Sequence, residues 1–469
     1  MDPADASSLP SPAPVMELLN GFRKSKVLFT LVSLGVFDAV AAAPGRAGLT
    51  LPALARALSA RRGGAEPSLD GLGRLCDAGV ALGLLDGDRG AGYRPTPLAA
   101  AYLTSDAPCS LAGYVAHSDA LLYRLWGELE AAVSSGRNCW APAFGRDSAD
   151  IFASVYAAEG DVLRFMRGMH GLSALSAAPV LTAFDLSPFT RLVDLGGATG
   201  ALAGAAAALY PQLSAVVVDL PHVVDMARAH FGSSPAAAAL GGRLSWVGGD
   251  FFEPGAAGAL PVGDLYVLSR VLHDWEEARC LKLLRLVHDA LPLGAPRAAA
   301  ARPRGAARHP RARPPPDAPR TPAARRPGGA LLVCEMLLDP GGLGPPEALL
   351  QSLNMLTQTH GRERSLAELT QLLSAAGFRR VQGRKTGSYL DAVIAYKTRH
   401  APGSVEEAEA AEAAAEAEEA EAAAEAEAAG AVEGQEAGAP RGGSGAAGAA
   451  DAADADGAAE AADAPGGGA

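Results

Sequence analysis

Cysteine is sparse and unpatterned in this chain of 469 residues. The five present (Cys76, Cys109, Cys139, Cys280 and Cys334) are odd in number and scattered, with no C-x-x-C spacing. That excludes a disulfide framework and a zinc site as first readings and leaves buried free thiols. No apolar run approaches the ~20 residues that a bilayer crossing needs. The N-terminus, Met-Asp-Pro-Ala-Asp-Ala, lacks the basic-then-apolar order of a secretory signal. A cytoplasmic address without a membrane partner is the expectation. A basic surface is missing too. The formal charge of −12 hides two opposite segments: residues 401–469 hold 17 acids and one Arg, and residues 297–326 hold nine Arg and one Asp. With that −16 and +8 set aside the body carries −4, which gives no electrostatic case for a nucleic-acid partner.

What is present suffices for a sizeable core, since 49% of residues are apolar although only 5% are aromatic. Residues 14–44 show helical apolar spacing, with Gly35 as a helix stop. Helices over Leu51–Leu58 and Leu69–Leu84 follow, then a glycine-tipped hairpin, Leu85–Arg94. Three helices and a hairpin suggest a winged-helix module over residues 14–116. The helix that would enter a DNA groove, Ser68–Leu84, carries one Arg, so packing against protein is the better use of the module. Residues 117–175 read as connecting helices.

From Leu192 onward strands and helices alternate. Leu192–Leu195, Ala215–Asp219, Leu244–Val247, Asp264–Leu268 and Ala330–Cys334 are the expected strands. They imply an α/β domain over residues 176–400, a Rossmann-like parallel sheet with helices on both faces. Residues 294–329 are Arg, Pro and Ala that can bury nothing, and read either as a disordered loop or as a translated intron, since a short turn would suffice there. Residues 401–469, rich in Ala, Glu and Gly, read as a solvated disordered tail.

The most informative stretch is Val193-Asp194-Leu195-Gly196-Gly197-Ala198-Thr199-Gly200, a glycine-rich turn closing an apolar strand. Asp219 ends the next strand and can accept both hydroxyls of a ribose. The spacing is not the G-x-G-x-x-G of dinucleotide sites, so a pyrophosphate is not the ligand. S-adenosylmethionine, which has no phosphate, fits better, with Asp250 bonding the adenine edge and Phe251 packing on the ring. A plain strand-to-helix turn is the competing reading of the glycines alone.

After the strand Asp264–Leu268 comes Ser269-Arg270-Val271-Leu272-His273-Asp274-Trp275, which places an imidazole at the carboxyl edge of the sheet. A base of pKa about 6.5 suits a phenol-like hydroxyl of pKa roughly 10 that must lose its proton as it attacks a sulfonium methyl. Glu335 and Glu363 could orient that base and stabilise its charged form. A satisfied structural histidine, a salt-bridging Glu335 and a helix-terminal Glu363 remain the alternatives. No His/Asp/Glu cluster suggests a metal ion. His273 and Asp274 would point apart on an extended segment, so metal-independent chemistry is expected.

These motifs, with Val218-Asp219-Leu220-Pro221, Gly249-Asp250-Phe251-Phe252 and Ser352-Leu353-Asn354-Met355-Leu356 through Gly361-Arg362-Glu363-Arg364, resemble the acetylserotonin (hydroxyindole) O-methyltransferases over residues 14–293 and 330–397. Tyr102–Asp106 and Arg164–Gly171 look closest to the methyltransferase domain of the acetylserotonin O-methyltransferase-like branch. The resemblance implies a homodimer through the N-terminal module and methylation of a hydroxyindole, N-acetylserotonin to melatonin. It implies S-adenosylmethionine held by Tyr156, Asp194, Gly196, Gly200, Asp219, Gly249, Asp250, Phe251 and Arg270. His273 would be the base, with Glu335 and Glu363 beside it, and Asp274, Asn354 and Gln358 would hold the acceptor. Two positions depart from the pattern: Ala198 replaces a third glycine, and Ser173 replaces a tryptophan beside the donor. They leave open an alternative, a dimeric relative with weak or no catalysis.

Overall fold

The computed structural model describes residues 10–43, 48–145, 159–253, 260–293 and 328–398. Tyr156, the acidic tail and residues 294–327 of the Arg-rich segment lie outside them. The N-terminal module begins with α1 (Ala13–Leu34), which ends where expected at Gly35, in the left-handed conformation at φ 76°. There follow α2 (Val36–Ala41), α3 (Leu51–Arg62) and α4 (Leu69–Ala81). The third helix runs a turn beyond the expected Leu58. The Ser68 side chain caps α4 by accepting the Gly71 N–H. Strands β1 (Leu85–Asp88) and β2 (Gly92–Pro95) form the hairpin, its turn held by Asp88 Oδ1 accepting the N–H groups of Gly90 and Ala91. Leu31, Phe37, Leu54, Leu58 and Tyr93 make the module's core. The first turns of α1 leave Val15, Met16, Leu18, Leu19 and Phe22 in the open, Leu18 with 81% of its surface exposed.

After α5 (Pro97–Tyr102), the connecting region runs through α6 (Ala112–His117), a π-turn, α7 (Tyr123–Trp126), α8 (Leu129–Ser135) and α9 (Trp140–Phe144). The long α10 (Glu159–Thr182) packs along α6 and reaches the second domain.

That domain is built on β3 (Arg191–Leu195), β4 (Ser214–Asp219), β5 (Leu244–Gly248), β6 (Leu265–Ser269) and β7 (Ala330–Glu335), all parallel. Each lies within a residue of its expected place. The sheet as a whole is not parallel. Its order is β10-β11-β7-β6-β3-β4-β5, and β10 (Arg379–Arg384) and β11 (Asp391–Tyr396) are antiparallel additions. Six residues separate those two strands, far fewer than a parallel crossover requires, so a hairpin is the only connection open to them. The order reverses at β3 and β6, and the crevice outside their carboxyl ends is where such sheets take ligands. A short parallel pair, β8 (Leu337–Leu338) with β9 (Arg364–Ser365), lies beyond β7 and brings Glu363 to that edge. No helix among the described residues is long and apolar enough to cross a membrane.

Candidate active site

The glycine turn follows β3 and curls over a carboxylate. Gly196 and Gly200 both have φ 75°, and Ala198 has φ 43°, a region that disfavours any residue with a Cβ. A Cβ on Gly197 would collide with the carboxylate of Asp194. From the end of β4, Asp219 Oδ2 accepts the Ala198 N–H at 2.9 Å and Oδ1 accepts the Leu220 N–H at 2.8 Å. Burial pushes the Asp219 carboxyl up to about 6 against those two hydrogen bonds. Burial, then the neighbouring Asp219, pushes Asp194 up to about 7. Asp194 Oδ1 is buried without a hydrogen-bond partner.

Both acids face a cavity of about 200 Å³, which is also lined by Gly196, Gly249, Asp250, Phe251, Arg270 and Ser173. Gly200 does not line it. That glycine caps the helix Ala201–Leu209, and a Cβ there would stand 3.1 Å from the Trp246 ring, so the packing of the turn also calls for glycine. Asp250 Oδ1 accepts the Phe252 N–H at 2.7 Å. Among the wall residues to which the sequence assigns no role are Phe252, Trp275 and Arg279. The Arg279 guanidinium lies 4.1 Å from the Trp275 ring centre and 4.4 Å from that of Phe252.

Arg270 separates this cavity from a second, smaller one of about 50 Å³ and lines both. Its Nη1 donates to the Tyr389 hydroxyl at 3.0 Å. His273, Asp274, Asn354 and Gln358 come together in the second cavity, joined by Tyr114 and His117 from α6. Burial, then Arg164 and Arg270, drives His117 down to about 4, so its imidazole is neutral. Burial pushes Asp274 up to about 6 against the pull of His273.

His273 lies on a single 3₁₀ turn, Leu272–Asp274, directly after β6. Glu335, the last residue of β7, holds the turn: its Oε1 accepts the N–H groups of Val271 at 3.2 Å and Leu272 at 3.0 Å. Arg364 clamps the far side, donating to the carbonyls of Leu272 and Trp275 at 3.0 Å each. Glu363 Oε1 lies 2.6 Å from His273 Nδ1, whereas Glu335 Oε2 lies 3.5 Å away. The two carboxylates therefore divide the work: one grips the ring, the other the backbone. Burial pushes Glu363 up to about 7, with Arg270 and Arg364 pulling against it.

Two expectations about this turn need correction. His273 and Asp274 do not point apart, because the segment is helical rather than extended; Nε2 of His273 is 3.7 Å from Asp274 Oδ1. A cluster of metal-ligand type also exists, since His273, Glu335 and Glu363 place one ligand atom each within 4.8 Å of one another. Residues 337–338 and 364–365 must pair before Glu363 can arrive there, which spacing along the chain does not reveal.

A family model for the O-methyltransferase domain matches residues 126–296 and 319–379, and one for the O-methyltransferase dimerisation domain matches residues 16–105. Acetylserotonin O-methyltransferase of Bos taurus is 40% identical over 384 residues, covering 81% of this chain and 96% of that protein. The chain belongs to the acetylserotonin O-methyltransferase family. It is thereby an S-adenosylmethionine-dependent O-methyltransferase, with the α/β sheet and N-terminal dimerisation domain of that family. The human acetylserotonin O-methyltransferase is 37% identical over 381 residues, with 81% of this chain and 95% of that protein covered. A human probable bifunctional dTTP/UTP pyrophosphatase/methyltransferase protein is 37% identical over 389 residues, but only 54% of its length is matched, against 83% of this chain. Among solved structures, human N-acetylserotonin methyltransferase in complex with SAM superposes with a TM-score of 0.69 at 36% identity, covering 84% of this chain and 99% of that one.

Within this O-methyltransferase, Tyr114 and His117 are among the wall residues of the small cavity to which the sequence assigns no role. They sit on a short helix with no motif around them. Only the packing of α6 along α10 brings them to the sheet edge.

Proposed function

We propose that the protein methylates the hydroxyl of a hydroxyindole, N-acetylserotonin to give melatonin, with His273 as general base. The observation that carries this is the His273 Nδ1 to Glu363 Oε1 contact of 2.6 Å beside a cavity that adjoins the glycine-turn cavity. With Nδ1–H donated to Glu363, the lone pair of Nε2 is left to take the acceptor's proton. Glu363, with Glu335 behind it, then faces the imidazolium that forms. Bound S-adenosylmethionine supplies the electrophilic methyl.

The residues present suit that donor. Asp219 offers a carboxylate to ribose hydroxyls, and the unpartnered Asp194 Oδ1 marks a place for a donor or a positive charge. Gly196, Gly249, Asp250, Phe251 and Arg270 line the same cavity, and Tyr156 belongs to the proposed set from outside the described residues. Asp274, Asn354 and Gln358 hold the acceptor. The His273–Glu335–Glu363 group is read as a proton site. Ligands of a metal at ~2.0–2.2 Å stand nearly 3 Å apart at right angles, and a 2.6 Å separation suits a shared proton instead. Homodimerisation through the exposed apolar face of α1, a cytoplasmic address, and the boundaries 14–116, 117–175 and 176–400 complete the reading.

A second reading, a dimeric relative with weak catalysis, rests on Ala198 at φ 43° and on Ser173 in the cavity wall. Calorimetric titration with S-adenosylmethionine, followed by addition of N-acetylserotonin and product analysis, separates the two. Micromolar binding with a methylated product supports the enzyme; no binding by a folded dimer supports the second reading.

A further inference from the structure

Asn354 reaches the small cavity from the helix α15 (Pro346–Gln358) and is 5% exposed. Its side chain is held from behind by Trp126 of α7, whose Nε1 donates to Asn354 Oδ1 at 2.9 Å. An indole N–H can only donate, so the amide atom facing it must be the oxygen; the flipped amide would set two donors against each other. The NH₂ group is thereby turned away from Trp126. Among the described residues it donates to no protein acceptor.

The support behind this contact is itself pinned. Trp140 Nε1 donates to the Gln358 carbonyl at 2.9 Å, and the Cys139 N–H donates to the Thr357 carbonyl at 2.8 Å. The connecting helices thus hold the last turns of α15 at three points.

We propose that Trp126 is a positioning residue that fixes Asn354 as a hydrogen-bond donor, so that the cavity selects an acceptor with a carbonyl oxygen on its side chain over one ending in a free ammonium. The proposal rests on the acceptor class given above and adds the device that discriminates within it. An ammonium brings only donors to the Asn354 NH₂ and leaves it unpaired. Arg270 and Asp274 line the same cavity with opposite charges, and Arg270 pulls on the Asp274 carboxylate, so the uncharged amide is left to discriminate.

The test uses the full chain and two acceptors, a 5-hydroxyindole with an N-acetylated aminoethyl side chain and the same compound with the free amine. Trp126→Phe keeps the ring and removes the N–H. The expected result is an about tenfold rise in KM for the N-acetylated acceptor, kcat within about threefold, unchanged S-adenosylmethionine affinity, and an about tenfold fall in the kcat/KM ratio between the two acceptors. Asn354→Asp is the second arm. One oxygen still accepts from Trp126 and the other now faces the acceptor, so preference shifts towards the amine. An unchanged ratio in both variants overturns the proposal. If the unaltered protein binds donor and methylates neither acceptor, the acceptor class itself fails and the proposal falls with it.

Discussion

Replacing Glu363 by Gln isolates the contact on which the proposed mechanism turns. The substitution preserves shape, and the outcome depends on which way the new amide faces. If its oxygen meets Nδ1, the tautomer is kept but the anion opposite the forming imidazolium is gone. A charge-assisted hydrogen bond of the kind seen here, 2.6 Å long and 1% exposed at Glu363, is worth roughly 1.5–3 kcal/mol, or about 10–100-fold in rate. Glu335 Oε2, at 3.5 Å, recovers part of that. If the NH₂ meets Nδ1 instead, the ring proton moves to Nε2, no base faces the acceptor, and the loss is roughly 10²–10⁴-fold. Single-turnover methylation at saturating donor should therefore slow at least about tenfold, with donor affinity unchanged.

The pH dependence sharpens the test. Glu363 is pushed up from 4.5 to about 7 by burial, so in the free protein it is a carboxylate only above that range. The wild-type rate should rise with pH through about 7, and the Gln variant should lose that step. Stability moves the other way. The folded state holds the Glu363 proton more tightly than the unfolded chain, so this group's contribution is complete below 4.5 and is lost as pH rises through about 7. Glu363→Gln should gain on wild type in denaturant titrations over that window. A variant within twofold of the wild-type rate, with the pH step intact, would refute the assignment of Glu363.

Other consequences follow from neighbouring geometry. His273→Ala should abolish turnover while calorimetry shows donor binding intact; loss of both would make the histidine structural. Asp219, at about 6 in the free protein, should ionise when it accepts ribose hydroxyls. Donor affinity should then fall as pH drops through 6, and titrations in buffers of different ionisation enthalpy should show proton release. No release would place the ribose elsewhere. Ala198→Gly relieves a left-handed alanine at φ 43° and should raise unfolding free energy by up to about 1 kcal/mol without weakening donor binding; a less stable variant would show that the turn is not strained. Leu18→Glu combined with Phe22→Glu places two charges on the exposed face of α1 and should yield a monomer by sedimentation, whereas a persistent dimer would locate the interface elsewhere.

How much of this could be read from the chain depends on which element carries each residue. Four of the parallel strands, β3, β4, β6 and β7, were legible because each is a short apolar run buried on both faces; β5, at the sheet's edge, buries only Trp246 and was legible as a short run of strand-forming residues. β10 was not, since Arg-Arg-Val-Gln-Gly-Arg is an edge strand with one apolar side chain. The direction of β11 depended on the length of a connection rather than on its own residues. The same division separates the two halves of the site. A parallel sheet sends every carboxyl end to one edge, so whatever follows a strand is delivered there without further instruction: the glycine turn after β3, Asp219 at the end of β4, Asp250 after β5, His273 after β6, Glu335 at the end of β7. Donor and base chemistry is therefore written in strand-end motifs. Glu363 shows where that rule stops, because a two-residue bridge to β8 brings it in. Apart from Asp274, the proposed acceptor wall falls outside the rule. Tyr114, His117, Trp126 and Asn354 are helix-borne, and their meeting is decided by how α6, α7 and α15 pack. On this reading, substitutions in those helices, Trp126 behind the wall included, should retune the acceptor while leaving every strand-end motif intact.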